Sequence, residues 1–293
     1  MWRPDAQALG RHLTAHFGLE IEGETKAAAG PYPAVWLTPS GLPKADSFAV
    51  RLSLGWRSIA ADLVPGSFAG PLLRSMGHAT EGQRATFVEL ATRYTGSKAQ
   101  VGLSVNGAPV AVQDASTWPA DWQRLELTLS KSPAVVNTED HEDNDRELFL
   151  WGRRFMSLCL ALMPLEELEP PESFNDEGLP EGAKLRVEVN RYERSRVNRA
   201  ACIEIHGDCC KACGFNFGRS YGALGEGFIV VHHVVPVSKL GPDYRVNPAK
   251  DLVPLCANCH AIAHRTDPPQ SVSAIRSMIG YGQGAAALQP DDG

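Results

Sequence analysis

The sequence contains no long apolar run, and none approaches the roughly 18–20 residues that a bilayer-spanning helix requires. Residues 1–5 (MWRPD) also lack the basic and then apolar layout of a secretory signal peptide. These two absences argue against an integral membrane protein and against a secreted one. The sequence therefore favours a cytoplasmic location.

Cysteine is scarce over the first two thirds of the chain, because six of the seven cysteines lie between Cys202 and Cys259. A secreted disulfide scaffold is small and cysteine-dense along its whole length, so this distribution excludes one. Two closely spaced cysteine pairs in a cytoplasmic chain indicate metal binding instead.

An overall excess of positive charge is missing too, since 28 Lys+Arg stand against 34 Asp+Glu, a formal net charge of −6. The charge is unevenly spread, however. Residues 184–265 carry 12 Lys+Arg against 7 Asp+Glu, a net of +5, whereas residues 1–183 carry 15 against 24, a net of −9. Phosphate contacts depend on the local balance, because salt screens distant charges. The C-terminal segment is therefore suited to contact nucleic acid.

Patterning over the first 133 or so residues predicts a mixed α/β unit. Apolar residues at helical spacing predict helices over 4–17 and 82–95, and alternation predicts strands over 48–56 and 125–129. Asn106-Gly107 lies inside an apolar stretch and is a strong hairpin signal. The order of elements predicts an α+β protein whose N-terminal fold resembles no family that we recognise.

A domain boundary is expected after an apolar helix that spans about residues 148–165. The segment that follows is rich in proline, glycine and acidic residues, which is typical of a linker. We expect four parts: a target-sensing domain (1–168), a linker (169–183), a nuclease domain (184–279) and a disordered tail (280–293).

Two Cys-x2-Cys pairs, Cys210 with Cys213 and Cys256 with Cys259, predict one structural zinc site. A two-residue spacer allows one tight turn to present two thiolates, and four thiolates complete a tetrahedron around Zn²⁺. The alternative is four unrelated buried cysteines, but paired knuckles rarely arise by accident. Cys209 lacks the partner spacing, and two further cysteines lie on apolar helical faces and are expected in the core. These are Cys159 and Cys202.

Four histidines form a second candidate site between and after the cysteine pairs. His232 and His233 end a β-rich run, and His260 and His264 are four residues apart on a predicted helix, so the latter two share one face. Neutral imidazoles placed in this way are suitable metal ligands. An isolated histidine pair would more often be ordinary strand residues, but the zinc knuckles and the helical pair favour the functional interpretation.

These motifs together resemble the HNH, or ββα-metal, nucleases, and in particular the HNH domain of McrA-like modification-dependent restriction endonucleases. The resemblance covers about residues 184–265, under a third of the chain. The matching residues are Tyr192-Glu193-Arg194, His206-Gly207, Cys210, Cys213-Gly214-Phe215, Tyr221-Gly222, Val231-His232-His233, the segment 251–256 and Cys259-His260. The implied fold is a zinc-stapled ββα-metal domain.

The resemblance also implies a role for each site residue. His232, His260 and His264 would bind one divalent catalytic cation (Mg²⁺, Mn²⁺, Ni²⁺ or Co²⁺), and His233 would be the general base. Asp251 occupies the position of the asparagine in the HNH name and would orient His233. This departure from the motif puts the pH optimum in doubt, because a carboxylate raises the pKa of an imidazole that it holds. Arg265 either binds a substrate phosphate or is an ordinary surface arginine.

The expected function is a DNA endonuclease of a modification-dependent restriction system that acts on phage or other foreign DNA. Its N-terminal domain is expected to recognise the target. Cleavage of both strands suggests a homodimer, because one HNH site cuts one strand. Two alternatives remain open: an effector nuclease whose N-terminal domain binds a protein or a signal, and a non-catalytic zinc module that binds DNA. The tryptophans of the N-terminal domain either pack in its core or form a stacking pocket for a base.

Overall fold

The structure is a computed structural model, and it describes residues 3–28, 30, 32–41, 43–134, 141–163, 196–235, 246–266 and 268–286. The chain divides into two compact units, Met1–Leu165 and Glu166–Gly293. The predicted linker (169–183) and the arginine-rich segment before residue 196 lie outside the described residues. Within the described part of the chain, no helix combines the length and the apolar character that crossing a bilayer requires.

The N-terminal unit is built on a seven-stranded sheet in which all neighbouring strands are antiparallel. The spatial order is β1-β2-β3-β4-β7-β5-β6. The strands are β1 (Ile21–Lys26), β2 (Ala34–Pro39), β3 (Phe48–Leu54), β4 (Ile59–Pro65), β5 (Gln100–Val105), β6 (Ala108–Pro109) and β7 (Leu125–Lys131). The helices are α1 (Ala6–Phe17), α2 (Gly70–Gly77), α3 (Glu81–Gly96) and α4 (His141–Ala161). The unit is therefore mixed α/β.

Alternation of apolar and polar residues gives the sheet one buried and one open face. In β3, Val50 and Leu52 are fully buried, whereas Arg51 between them is exposed and pairs with Asp62 of β4 at 3.0 Å. Successive side chains of a strand point to opposite faces, so this pattern fixes the register of the sheet.

Helices α1 and α4 cover the buried face of the sheet. The Asp5 side chain accepts a hydrogen bond from the Ala8 amide and caps α1, which ends at Gly18 in a left-handed conformation (φ 69°). Gly152 lets α4 approach the sheet closely, since a Cβ there would lie 3.3 Å from Leu13 and from Leu37. This contact places the middle of α4 over the centre of the sheet.

The tryptophans separate into core and surface residues. Trp118 and Trp122 are buried, and their indole N–H groups donate to the carbonyls of Ala111 (2.8 Å) and Pro119 (2.7 Å). Core packing is therefore the correct interpretation for these two. Trp56, by contrast, is 75% exposed at the connection between β3 and β4.

The C-terminal unit is smaller and has a two-stranded sheet. Its elements are α5 (Arg196–His206), α6 (Phe217–Tyr221), β8 (Val230–His233), β9 (Leu252–Leu255), α7 (Ala257–Ala263) and α8 (Val272–Ala286). Its core combines aliphatic side chains with three of the knuckle cysteines, Cys210, Cys256 and Cys259. As predicted, Cys202 is buried in α5 and Cys159 is buried in α4 of the other unit.

Helix α8 extends beyond the boundary at which the sequence predicts a disordered tail. The backbone of residues 280–286 is helical, although three glycines lie in and near this stretch. Ile275 is 1% exposed and anchors the helix in the core. Once a helix is anchored, each further residue adds a backbone hydrogen bond at little cost, so elongation continues past weak helix formers.

Candidate metal centres and active site

Strands β8 and β9 form an antiparallel hairpin that leads directly into α7, a ββα arrangement. In the register of the hairpin, His232 lies opposite Val253 and His233 lies opposite Leu252. The knuckle before β8 is attached to this hairpin, because the amide of Lys211 donates to the carbonyl of Pro254 at 2.9 Å. Both cysteine pairs are thereby brought to one end of the hairpin.

The four cysteines of the predicted zinc site converge. The sulfur atoms of Cys210, Cys213, Cys256 and Cys259 all lie within 4.8 Å of one another. The sulfurs of Cys213 and Cys256 are 3.7 Å apart. A tetrahedral site with Zn–S bonds of about 2.3 Å has edges of about 3.8 Å, so this spacing fits zinc. Cys209 is outside the cluster, and its sulfur instead accepts a contact from the Asn216 amide at 3.5 Å.

The electrostatics of the four thiols also fit a cation. Burial raises the pKa of the Cys259 thiol, and the neighbouring sulfurs of Cys256 and Cys213 raise it further. Burial acts against ionisation of Cys210 as well, but backbone amides at Cys213 and Cys256 outweigh it and lower its pKa to about 7. Four thiolates this close repel one another unless a dication neutralises them. The cluster therefore fits a zinc-stapled ββα-metal module.

Three of the four predicted active-site histidines form a second cluster. Each of His232, His260 and His264 offers one ring nitrogen, and these three nitrogens lie within 4.8 Å of one another. The ring centroids are 4.7–5.3 Å apart, and the rings meet edge to face. His232 lies in β8 and His260 lies in α7. His264 follows α7 directly and is its C-terminal cap. Burial decreases in the same order, from buried through partly buried to exposed.

The surroundings of His232 and His260 favour the neutral form of their imidazoles. Burial lowers the pKa of His232 to about 4, and His260, His264 and His233 add to the effect through charge repulsion. Burial, followed by repulsion from His264, lowers the pKa of His260. A metal binds the neutral form of imidazole, so His232 and His260 are already in the ligating state near neutral pH.

His233 and Asp251 lie near each other at the end of the hairpin where the connection from β8 to β9 begins and ends. His233 is the last residue of β8 and is partly exposed. Because strand side chains alternate, it projects from the opposite side of the strand to His232. The carbonyl of Asp251 accepts a hydrogen bond from the amide of Val234, the residue after His233, at 2.8 Å. The residue predicted to be the general base and the residue predicted to orient it therefore lie on adjacent rows of one hairpin.

Sequence reasoning did not identify two residues that hold this hairpin in place. The amide of Asn247 donates to Oδ2 of Asp251 at 2.7 Å, so a tight turn fixes the carboxylate. The Arg199 guanidinium donates to the carbonyl of Ile229 at 2.7 Å, just before β8. The Asn247-Pro248 pair is a turn signal from which the role of Asn247 could have been predicted. Nothing in the pattern around Arg199 distinguishes it from a surface arginine.

The remaining predicted residues lie at the ends of helices. Arg265 lies two residues after the end of α7 and is exposed, and its amide donates to the carbonyl of Ile262 at 3.1 Å. Its guanidinium is therefore accessible from solvent next to His264. His206 ends α5 beside Gly207 (φ 78°), as expected, and its ring contacts the carbonyl of Pro248 at 3.3 Å.

Comparison with known proteins agrees with this geometry. Residues 210–266 match the HNH endonuclease family. The chain is also similar to the type IV methyl-directed restriction enzyme EcoKMcrA of Escherichia coli (strain K12), with 36% identity over 89 residues, 29% of this chain. The chain spans about a third of that relative's length, since the match covers 30% of it. No solved structure matches the chain.

The two matches and the two clusters agree on the C-terminal unit. It carries an HNH domain similar to that of McrA, with a four-cysteine cluster that fits structural zinc. These findings support nuclease activity of this domain. The first 165 residues form the separate N-terminal unit, and the HNH match does not extend to them.

Proposed function

We propose that the protein is a metal-dependent HNH endonuclease that hydrolyses phosphodiester bonds of DNA. The observation that carries this proposal is the convergence of three imidazoles from β8 and α7 beside a fourth, His233. A purely structural zinc module needs only its four cysteines. A four-cysteine zinc module does not require the second cluster, so its presence favours catalysis over the non-catalytic alternative.

The donor set of the second cluster fits a divalent cation held by His232, His260 and His264. Three imidazoles suit Mn²⁺, Co²⁺, Ni²⁺ or Zn²⁺, and Mg²⁺ binds such a set less readily. When bound, the cation supplies Lewis-acid stabilisation to the phosphate and to the leaving 3′ oxygen.

The protein side chains supply the remaining chemistry. His233 takes a proton from the attacking water, a contribution that is typically about 10²–10⁴-fold in rate. Asp251, fixed by the Asn247 amide, holds the His233 ring in a productive orientation. The exposed Arg265 guanidinium donates to a phosphate oxygen. The products carry a 5′-phosphate and a 3′-hydroxyl.

We further propose a role in modification-dependent restriction, because the similar E. coli protein is a methyl-directed restriction enzyme. The target-sensing domain (1–168) would select modified DNA, and the nuclease domain (184–279) would cut it. A homodimer would provide the two sites that scission of both strands needs. The substrate would be foreign DNA in the cytoplasm.

Plasmid cleavage tests the nuclease proposal. Wild-type protein with Mn²⁺ is expected to nick or linearise supercoiled plasmid, and His233→Ala is expected to lower the rate at least about 100-fold, because the general base is lost. His206→Ala is the matched control, since this histidine lies in the same unit outside the cluster. Equal cleavage by wild type and His233→Ala would contradict the assigned role of this residue.

Modification dependence is tested with the same plasmid prepared with and without 5-methylcytosine. Faster cleavage of the methylated plasmid is expected. Equal cleavage of both forms would remove the restriction role and leave the nuclease. Toxicity on expression that requires His233 but no DNA modification would favour the effector alternative, which the net charge of −9 over residues 1–183 suits equally well.

A further inference from the structure

The connection between β3 and β4 differs in backbone conformation from the other tight hairpin of the same sheet. Between β5 and β6 the chain turns through Asn106 and Gly107, both with positive φ (53° and 84°), as tight hairpins prefer. Between β3 and β4 the apex residues are Trp56 and Arg57, flanked by Gly55 and Ser58. Neither apex residue has positive φ.

Trp56 and Arg57, here called the apex, are presented to solvent. Trp56 is 75% exposed and Arg57 is also exposed. Folding gains little from a large aromatic ring that stays in water. A residue that does not suit the structural role of its position is typical of a functional site.

The backbone of the apex is held in place rather than free. The amide of Gly55 donates to the carbonyl of Ser58 at 2.8 Å and closes the turn. The carbonyl of Arg57 accepts from the amide of Ala134 at 2.8 Å and from the Ser132 hydroxyl at 3.4 Å. Both donors follow β7, so a second segment clamps the apex. Binding by a fixed apex costs less conformational entropy than binding by a loose loop.

The surroundings of the apex are aromatic and basic. The Tyr32 ring, from the connection between β1 and β2, lies 6.4 Å from the Trp56 ring. Lys131 of β7 pairs with Ile59, the first residue of β4. In the two strand rows next to the turn, Leu54–Ile59 and Ser53–Ala60, no carboxylate occurs. The nearest acid along β4 is Asp62, and Arg51 neutralises it at 3.0 Å.

We propose that this apex is the DNA contact of the N-terminal unit: Trp56 packs against a base, and Arg57 binds the adjacent phosphate. The proposal rests on the proposed function and adds the surface by which the substrate is engaged. An exposed indole offers a flat face for a base, and a guanidinium offers a fork of donors for a phosphate. Because the unit as a whole is acidic, its contact with DNA has to be confined to a local spot of this kind.

Binding of the full-length protein to a labelled 5-methylcytosine duplex tests the proposal, with His233→Ala in every sample to prevent cleavage. Trp56→Ala is expected to weaken binding about 5- to 100-fold, the usual range for one base–aromatic stack. Trp56→Phe keeps a stacking face and is expected to recover most of the affinity. Arg57→Gln is expected to weaken binding and to reduce its dependence on salt.

Phe68→Ala is the matched control, because Phe68 is 70% exposed on another connection of the same unit. Its DNA affinity should equal that of the parent protein. Unchanged affinity of Trp56→Ala and Arg57→Gln would overturn the proposal. Plasmid cleavage by the apex variants with His233 intact separates the two hypotheses. If wild type cuts DNA and the apex variants bind and cut equally well, only the apex proposal fails, whereas absence of all cleavage is a failure of the proposed function.

Discussion

The two units of the chain are stabilised in different ways. The N-terminal unit has a seven-stranded sheet covered by helices, and its core includes fully buried rings such as Trp122 and Phe87. The C-terminal unit has two four-residue strands and a core in which three knuckle cysteines take the place of larger apolar side chains. Burial alone supports the first unit, whereas a core as small as the second usually needs a metal. Because of this difference, a change in one unit is expected to leave the stability of the other unit unaltered.

Loss of zinc is expected to have the largest effect. Cys256→Ala, or chelation of zinc, should unfold the C-terminal unit, because structural zinc sites contribute about 10 kcal/mol or more to folding. All six tryptophans precede residue 164, so tryptophan fluorescence reports on the N-terminal unit. The expected result is a loss of helical circular dichroism with an unchanged fluorescence transition.

Cys209→Ser is the control for zinc removal, because Cys209 is adjacent to the cluster but does not belong to it. Its zinc content, measured by metal analysis, should equal that of the wild type. If Cys256→Ala retained both zinc and full ellipticity, zinc would not be what stabilises this unit.

Removal of a core ring is expected to affect the other unit. Trp122→Ala should destabilise the N-terminal unit by about 3–5 kcal/mol, as large-to-small core substitutions do. Denaturant unfolding followed by fluorescence measures the effect, and zinc content should not change. Trp56→Ala is the control and should shift stability by less than about 0.5 kcal/mol, since its ring is mostly in water. Equal losses for both variants would contradict the assignment of Trp122 to the core.

A dependence on pH is the smallest expected effect and concerns the C-terminal unit. Burial lowers the pKa of His232 from 6.5 to about 4, so without the catalytic cation the folded state binds fewer protons than the unfolded state. Stability from this group is complete above pH 6.5 and is lost as the pH falls towards 4. The difference in denaturation midpoint between wild type and His232→Gln should therefore change over this range. A difference that stays constant would show that His232 is not neutralised by the fold.

The predictability of the site contrasts with that of the N-terminal fold. Short spacings that carry chemistry, such as Cys-x2-Cys and the interval between His260 and His264, identified the residues that converge in the C-terminal unit. Such ligands must meet at one point, so their spacing constrains the structure strongly. In the N-terminal unit, periodicity predicted β3, α3 and the hairpin at Asn106-Gly107.

Several strands of the N-terminal unit were not predicted from the sequence. Strand β1 lies at the sheet edge, and most of its side chains are exposed, so the apolar alternation that identifies strands is absent. The order of strands depends on pairings such as β4 with β7, which lie about 70 residues apart in the chain and leave no local pattern. The sequence also did not distinguish the exposed Trp56 from the buried Trp122, because tertiary packing decides which side chains are exposed.

Cys256 links the four-cysteine cluster to the helix that carries a residue of the histidine cluster. Its sulfur is part of the four-cysteine cluster and also accepts the Cys259 amide at 3.5 Å, so that it caps the first turn of α7. The same short helix carries His260, one turn from Cys256. If zinc occupies the four-cysteine cluster, we therefore expect its removal to displace His260 as well, so that loss of the first site would also disrupt the second.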